Sequence, residues 1–374
     1  MKPNLKLNLL RILRNLLPAL LPMLLAGCGA EDPAEKSRYV VDCNGAGDFR
    51  TIQECFDALP SKSSVWRTVE IRPGTYREKV TLDVYKEKVA IIGAGADSVR
   101  IVWDDYSGKV VDGYELTTYD TYTFSIQADE VYLQGVTVEN DAGRVGQAVA
   151  LETRGDRIRI DRCRLTGNQD TFFTKGYVSR ILVENSWIEG TTDFIFGPSI
   201  VYFRDCAIHC KSDSYITAAS TTERNKYGYI FVRCRVTTDP AVTKLYLGRP
   251  WKSTARTVWL CCELPEAIRP AGWHNWNDPI REQLSYYGEY GCFGPGADRS
   301  GRVGWSHELT VEEAADHYLL AHVFAKKTGS EQFHDEWWPD AEEALRPWLA
   351  GEPLRVVPVS EAEEAMLRAA EGLE

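Results

Sequence analysis

Two aspartates, Asp170 and Asp193, are the residues of this chain best suited to catalysis. Asp193 lies in the largely apolar segment 190–197, where a carboxylate must be paired or have a raised pKa, since burying it alone is too costly. Asp170 precedes it by 23 residues. If this interval is one turn of a repeating β-structure, the two carboxyl groups lie about 5 Å apart. Each then opposes ionisation of the other, which predicts one general acid and one ionised nucleophile or base.

Two glutamines and an arginine could complete such a site. Gln147 precedes Gln169 by 22 residues, so their amides would also stack on neighbouring turns and could donate hydrogen bonds to an oxyanion. Arg249 offers a guanidinium fork that can hold a carboxylate, and Trp251 beside it offers an apolar face for a sugar. The alternative is purely structural: Asp193 caps a turn, the glutamines form a polar ladder, and the arginine makes an ordinary ion pair.

The elements that position these residues are a series of similar β-rich segments. From about residue 65 to 264, short β-branched stretches alternate with polar turns and show little helical periodicity. The corresponding positions in the similar segments are Val136, Cys163, Ser186, Cys206, Cys234 and Cys262. Successive positions are 20 to 28 residues apart. Such a repeat predicts an all-β solenoid, a right-handed parallel β-helix with one turn per unit.

The repeat also accounts for most of the cysteines. Those at the corresponding positions are expected to stack as an interior column of free thiols, since a buried free cysteine behaves as a small hydrophobe. Cys206 and Cys210 are close in sequence, so a disulfide between these two is an alternative. A helix over 51–59 is expected to cap the N-terminal end, because an open solenoid end exposes strand edges. Helical patches at 311–326 and 361–370 are expected to pack along the side of the solenoid, although this aromatic-rich tail could instead be a carbohydrate platform.

The first 28 residues are typical of an export signal. A basic stretch is followed by an apolar core over 16–25 and by small residues that end at Cys28. This ending resembles a bacterial lipoprotein signal, in which the Cys28 thiol is acylated. Plain secretion and an uncleaved anchor are the alternatives. Because Gly29 is not acidic, we expect an exported protein anchored by lipid in the outer membrane.

The remaining chain is predicted to comprise three segments. Residues 29–37 form a tether, 38–325 the β-helix and 326–374 a tail. The net charge is −11 and becomes more negative without the basic leader, which argues against binding to nucleic acid or to an anionic membrane.

Five segments occur in the order of the signature motifs of pectin methylesterases and resemble them: 74–80, the segment around Gln147, 169–171, 190–197 and 247–251. Further similarity at 45–53, 294–297 and 302–305 extends the resemblance over about 38–325. The family implies a right-handed parallel β-helix, with no metal and no cofactor. In many relatives a disulfide joins the strands on either side of the 190–197 motif. Ser186 stands at one of the two positions, so we expect no such bridge in this chain.

The resemblance also implies roles for individual residues. Asp193 matches the nucleophile and Asp170 the general acid/base, while Gln147 and Gln169 match the oxyanion-hole donors. The residues implied in orienting the nucleophile or contacting substrate are Arg249, Trp251, Thr118 and Phe194. Arg249 matches the residue that orients the nucleophile and also binds substrate. Trp251 matches a residue that stacks on the substrate, and Thr118 matches a threonine that contacts it. Phe194 matches a wall of a subsite, by position only.

The sequence therefore predicts a monomeric pectin methylesterase. It would hydrolyse methyl esters of galacturonate units in pectin or methylated oligogalacturonides, releasing methanol and pectate through an aspartyl acyl-enzyme. The negative charge predicts a preference for methylated, neutral stretches of substrate. Three alternatives remain. A surface-tethered pectin-binding solenoid would need no intact site, a pectate lyase would need clustered carboxylates for calcium, and a polygalacturonase would use aspartates to cleave the glycosidic bond.

Overall fold

The computed structural model describes residues 36–324 and 361–370. Outside these residues lie the predicted leader ending at Cys28, most of the tether, residue 325 of the predicted β-helix, and residues 326–360 and 371–374 of the tail. Within the described part, three long parallel sheets account for most of the strands, and a short antiparallel pair, β7 (Val110–Val111) and β8 (Tyr114–Glu115), accompanies them.

Each parallel sheet is built from strands that lie well apart in the sequence. Sheet A contains, in spatial order, β1 (Arg38–Val41), β2 (Arg67–Ile71), β5 (Val89–Gly93), β10 (Val131–Gln134), β13 (Ile158–Asp161), β16 (Arg180–Glu184), β19 (Ile200–Arg204), β22 (Tyr229–Val232), β25 (Arg256–Leu260), β26 (Tyr286–Tyr290) and β27 (His307–Glu308). Sheet B contains β3 (Gly74–Arg77), β6 (Val99–Trp103), β11 (Thr137–Asn140), β14 (Arg164–Thr166), β17 (Trp187–Gly190), β20 (Ala207–Cys210) and β23 (Arg235–Thr238). Sheet C contains β4 (Val80–Leu82), β9 (Phe124–Ile126), β12 (Leu151–Thr153), β15 (Phe172–Thr174), β18 (Ile195–Gly197), β21 (Tyr215–Ala219) and β24 (Tyr246–Pro250).

The chain visits the three sheets in rotation. After β10, β11 and β12 it returns to sheet A as β13, which pairs in parallel with β10, and the next turns repeat this course. Each turn therefore hydrogen-bonds to the turn before it, and the inward side chains form one continuous apolar core. This arrangement is the predicted parallel β-helix.

The predicted interior column is present. The register pairs Thr137 with Arg164, and that alignment continues through Trp187, Ala207 and Arg235 to Glu263. The residue before each of these six is, in turn, Val136, Cys163, Ser186, Cys206, Cys234 or Cys262, all of them buried. The column continues to Cys292, which the sequence analysis did not include, because Glu263 also bridges Phe293. None of the nine cysteines among the described residues forms a disulfide, Cys206 and Cys210 included.

A short helix, α1 (Ile52–Ala58), covers the N-terminal end of the solenoid, as predicted. It packs on β4 and β1, which are the first strands of sheets C and A. Phe56 is buried against Phe124, with ring centroids 5.7 Å apart. The Glu78 carboxylate accepts hydrogen bonds from the backbone N–H groups of Ile52 and Gln53 at 2.9 to 3.1 Å, which satisfies donors that every helix leaves free at its start.

Helices of the C-terminal region pack on the outer face of sheet A. A further helix, α2 (Pro279–Leu284), precedes β26, and α3 (Val311–Tyr318), α4 (Leu320–Phe324) and α5 (Glu361–Ala370) follow β27. Residues of α3, α4 and α5 share an apolar cluster with β19, β22 and β25. Arg233 joins α5 to the solenoid through its ion pair with Glu363. Met366 of α5 lies in this cluster, so the described part of the tail packs on sheet A. Among the described residues, none of the helices has the length and apolar character of a membrane span.

Gly190, the last residue of β17, lies where a side chain has no room. A Cβ atom there would lie 2.2 Å from Cβ of Phe194 and 2.6 Å from the carbonyl oxygen of Asn168. We expect Gly190→Ala to lower the free energy of unfolding by about 1–3 kcal/mol, since Phe194 is fully buried and the Asn168 contact is a backbone atom, so neither neighbour can give way freely. Urea denaturation measures the change. Gly304→Ala is the matched control, because a Cβ there has no atom within 4 Å. Equal stability of the two variants would contradict the prediction.

Candidate active site

The two aspartates occupy equivalent positions on successive turns. Phe172 pairs with Ile195 in the register of β15 and β18, so Asp170 and Asp193 each lie two residues before the paired position. Both have a left-handed backbone conformation, with φ of 66° and 49°. Aspartate tolerates this conformation better than most residues. The backbone N–H of Asp170 donates to the carbonyl oxygen of Thr192 at 3.2 Å, which ties the two turns together at the site.

The two glutamines also lie on adjacent turns, where the backbones of Gln147 and Gln169 form a parallel bridge. Together with the aspartates they line a cavity of about 220 Å³ on the outer side of sheet C. The cavity is lined by Thr118, Tyr119, Gln147, Gln169, Asp170, Asp193, Phe196, Ala218, Arg249, Trp251 and Trp276. Seven of the eight residues that the sequence analysis placed in the active site therefore meet in one place.

Arg249 holds one of the two aspartates. It lies on β24, and its Nε and Nη2 atoms donate to the two carboxylate oxygens of Asp193 at 3.0 and 2.6 Å. Its guanidinium lies between two aromatic rings, 3.8 Å from the ring centroid of Tyr215 and 3.7 Å from that of Trp276. The carbonyl oxygen of Tyr215 also accepts a hydrogen bond from the backbone N–H of Asp193 at 2.8 Å. Tyr215 therefore contacts both residues, the Arg249 guanidinium through its ring and the Asp193 backbone through its carbonyl oxygen.

The two carboxyl groups are in different electrostatic environments. Burial, reinforced by the charge of Asp193, raises the pKa of Asp170 well above its usual value. Burial also raises the pKa of Asp193, but the hydrogen bonds from Arg249 favour its ionised form and oppose that shift. Asp170 is thus the group that keeps its proton to higher pH, whereas Arg249 favours the carboxylate form of Asp193.

The expectation that Phe194 forms a wall of the site is wrong. Its side chain is fully buried and belongs to the interior core, because it lies at the turn where the chain enters the core before β18. Phe196, two residues further on, lines the cavity instead. Its ring stacks on Phe173 with centroids 4.3 Å apart and lies 5.9 Å from Trp251. The alternation of side chains along β18 turns Phe196 outward, a signal that could have been used.

Other cavity residues were missed by the sequence analysis, and loops bring most of them in. Tyr119 reaches the cavity on the 3₁₀ turn Thr118–Asp120, next to the predicted Thr118, and its ring centroid lies 5.8 Å from that of Phe173. Trp276 comes from the segment between β25 and α2 and carried no repeat signal. In the described part of the chain, no group of three or more His, Cys, Asp or Glu side chains is arranged to hold a metal ion.

This arrangement suits acyl transfer. A carboxylate held by an arginine can attack a carbonyl carbon, amides on the adjacent turns can donate to the oxyanion, and a protonated carboxyl one turn away can protonate a leaving group. Two carboxyl groups alone would also suit glycoside hydrolysis. The paired glutamines favour the first reaction, because acyl transfer develops an oxyanion to which their amides can donate.

Comparisons with known proteins agree on one family. The model of the pectinesterase family matches residues 38–326. Pectinesterase 31 of Arabidopsis thaliana is 33% identical over 291 residues, which cover 76% of this chain and 90% of the relative. Pectinesterase QRT1 of the same plant is 38% identical over 285 residues, covering 73% and 74%.

Solved structures give the same result for the fold. The pectin methylesterase from carrot is 31% identical and matches with a TM-score of 0.71 over 76% of this chain and 92% of its own. The pectin methylesterase from Aspergillus niger is 28% identical and matches with a TM-score of 0.66 over 75% and 93%. These enzymes are right-handed parallel β-helices, so the predicted handedness and fold class are confirmed.

Proposed function

This chain belongs to the pectinesterase family, and from that premise we propose that its cavity hydrolyses the methyl esters of pectin through an acyl-enzyme formed on Asp193. Family membership makes the chain a pectin methylesterase, a carboxylic ester hydrolase. The observation that supports the mechanism is the asymmetry of the carboxyl pair. Arg249 holds Asp193 by two hydrogen bonds, while Asp170, one turn away, has the more strongly raised pKa.

In the first half of the reaction, a carboxylate oxygen of Asp193 attacks the carbonyl carbon of a methyl galacturonate unit. The negative charge that develops on the carbonyl oxygen is stabilised by the side-chain amides of Gln147 and Gln169. The bond to the methoxy oxygen then breaks as Asp170 donates its proton, and methanol leaves. The product of this half is an anhydride between Asp193 and the galacturonate.

In the second half, Asp170 has become a carboxylate and acts as a base. It takes a proton from a water molecule, which attacks the galacturonate carbonyl of the anhydride and releases Asp193 as a carboxylate. The proton on Asp170 is thereby restored, and the product is a free galacturonic acid unit. The aromatic surface formed by Phe196, Trp251 and Trp276 would position the sugar chain.

The test is to measure methanol release from highly methylated pectin together with new reducing ends and unsaturated products in the same sample. The chain from Glu31 onward would be used. Methanol without new chain ends is expected. Reducing ends or unsaturated products without methanol would favour a polygalacturonase or a lyase, and saturable binding without any product would favour the tethered binding module.

Replacement of Arg249 by lysine removes the fork while keeping the charge. We expect kcat to fall by about 10- to 100-fold, since charge-assisted hydrogen bonds contribute about 1.5–3 kcal/mol. The pKa of Asp193 should rise because its carboxylate loses these bonds, so the acid limb of the pH–rate profile should move to higher pH. Arg164→Lys is the control, because that arginine pairs with the exposed Asp97 at the surface. An unchanged acid limb would contradict the assignment of Arg249.

We also propose that the protein is exported and anchored to the outer membrane by acylation of Cys28, and that it acts as a monomer on pectin or methylated oligogalacturonides. The anchor rests on the sequence of the leader, which lies outside the described residues. Labelling of cells with radioactive palmitate should mark the protein, and Cys28→Ala should abolish the label. Labelling of that variant would rule out this anchor.

A further inference from the structure

Trp276 contacts Arg249 from a backbone conformation that is rare for a tryptophan. Its ring centroid lies 3.7 Å from the Arg249 guanidinium, and its segment lies outside the repeating strands. The φ angles of Trp276 and of the next residue, Asn277, are 60° and 57°. Asparagine tolerates this left-handed region, but a bulky side chain is found there only where the surroundings hold it. The contacts that hold this backbone therefore also hold the ring against Arg249.

The contact that holds the Trp276 backbone comes from a side chain, His274. The backbone N–H of Trp276 donates to Nδ1 of His274 at 3.0 Å. A ring nitrogen that accepts a hydrogen bond carries no proton, so this contact requires the neutral imidazole with its proton on Nε2. The backbone N–H of Asn277 donates in the same way to Oδ1 of Asn275 at 2.9 Å. Two successive side chains thus fix this turn, each by binding the N–H group two residues further on.

His274 is itself anchored beside Arg249. Its backbone N–H donates at 3.2 Å to the carbonyl oxygen of Gly248, the residue before Arg249. Its ring centroid lies 5.2 Å from that of Tyr215 and 5.4 Å from that of Tyr246. Tyr215 is one of the two rings that enclose the Arg249 guanidinium. His274 thus contacts one ring of this pair directly and the other through the hydrogen bond to its backbone.

The charges around His274 favour its neutral form. Two cations act on the ring, Arg249 of β24 and Arg269 of the segment between β25 and α2. The carboxylate at this site, Asp193, is already bound to Arg249. The remaining titratable groups against the ring are the two tyrosines. Partial burial, reinforced by the two arginine charges, lowers the pKa of His274 below its usual value.

We propose that His274 is a positioning residue for the nucleophile, because its Nδ1 holds the backbone of Trp276 and the Trp276 ring holds the Arg249 guanidinium. A guanidinium fixed in its plane keeps both hydrogen bonds to Asp193. Protonation of Nδ1 at acid pH would turn the acceptor into a donor and add a third cation beside the two arginines. The bond to Trp276 would then break, and the enclosure of Arg249 would loosen. This inference rests on the proposed function, since it affects the rate only where Asp193 is the reacting group.

The direct test is nuclear magnetic resonance of the protein with isotope-labelled histidine rings, which reports the tautomer and charge of each ring without substrate. His274→Asn identifies the resonance of His274. We expect the Nε2–H tautomer at neutral pH and uptake of the second proton only below about pH 6.5, the usual pKa of histidine. An Nδ1–H tautomer, or a ring that is charged at neutral pH, would overturn the proposal.

The kinetic test compares two substitutions of His274 by methanol release from methylated pectin. His274→Phe keeps a ring against Tyr215 but removes the acceptor, so kcat should fall about three- to tenfold, the effect of one lost hydrogen bond. His274→Asn keeps an oxygen that can accept from the same N–H group, so it should lose less. Because asparagine does not titrate, the rate of this variant should also fall less steeply than that of the wild type on the acid limb.

The control is His307→Phe, which changes an exposed histidine whose ring stacks on Tyr286 with centroids 4.4 Å apart, and it should leave kcat unchanged. If His274→Phe also matched the wild type, or if both His274 variants lost kcat equally and kept the wild-type acid limb, the proposal would be wrong. If the wild type shows the expected tautomer but releases no methanol, the proposed function fails while the hold of His274 on Trp276 stands.

Discussion

Asp193→Asn is expected to lower kcat for methyl ester hydrolysis by at least about 10⁴-fold, the size of loss seen when a nucleophile is removed from a working set of groups. An amide oxygen is a poor nucleophile and cannot form the anhydride. Asparagine keeps the shape of the side chain, and its carbonyl oxygen can still accept one hydrogen bond from Arg249. Methanol release from methylated pectin under single-turnover and steady-state conditions measures the loss.

Two controls make this result specific. Thermal unfolding of Asp193→Asn should resemble that of the wild type, because the cavity is preserved. Asp97→Asn, which changes a carboxylate whose side chain is 82% exposed, should leave kcat unchanged. If Asp193→Asn retained more than about 1% of the wild-type kcat, Asp193 could not be the nucleophile.

Asp170→Asn is expected to lower kcat by about 10²–10⁴-fold, which is the usual contribution of a general acid or base. The wild-type rate should rise with pH as Asp193 ionises and fall as Asp170 loses its proton, and the two apparent pKa values belong to the coupled pair. The residual activity of Asp170→Asn should lack the alkaline limb, since asparagine does not titrate. A wild-type rate that stayed flat between pH 4 and 9 would contradict the assignment.

The same substitution should increase stability above the raised pKa. The pKa of Asp170 is higher in the folded state than in the unfolded state, so folding favours the protonated form. This contribution is complete below the unfolded pKa and is lost as pH rises through the folded one. Asparagine has no charge to bury. Urea denaturation should therefore show that Asp170→Asn gains stability relative to the wild type between pH 4 and pH 8. A relative stability that did not change with pH would contradict the raised pKa.

Much of the solenoid could be predicted from the sequence because each turn has the same arrangement of inward and outward side chains. A residue such as Cys163 or Cys206 must fill the same interior position as its equivalents on other turns, so similar small side chains recur at that interval. The interval from Asp170 to Asp193 is close to one turn, and so is the interval from Gln147 to Gln169. Each pair of identical side chains is therefore placed on adjacent turns. The register of the strands bears out both pairs.

The sequence by itself determined the repeat, the column of free cysteines and the set of groups that could react, because these depend on residue type and on distance along the chain. Only the tertiary structure decided that the side chain of Phe194 enters the core and not the cavity, because the chain turns there, immediately before β18. It also decided that Trp276 and Tyr215 enclose Arg249. These contacts join loops and strands from different turns. Their geometry depends on tertiary packing, which the spacing of residues along the sequence does not predict.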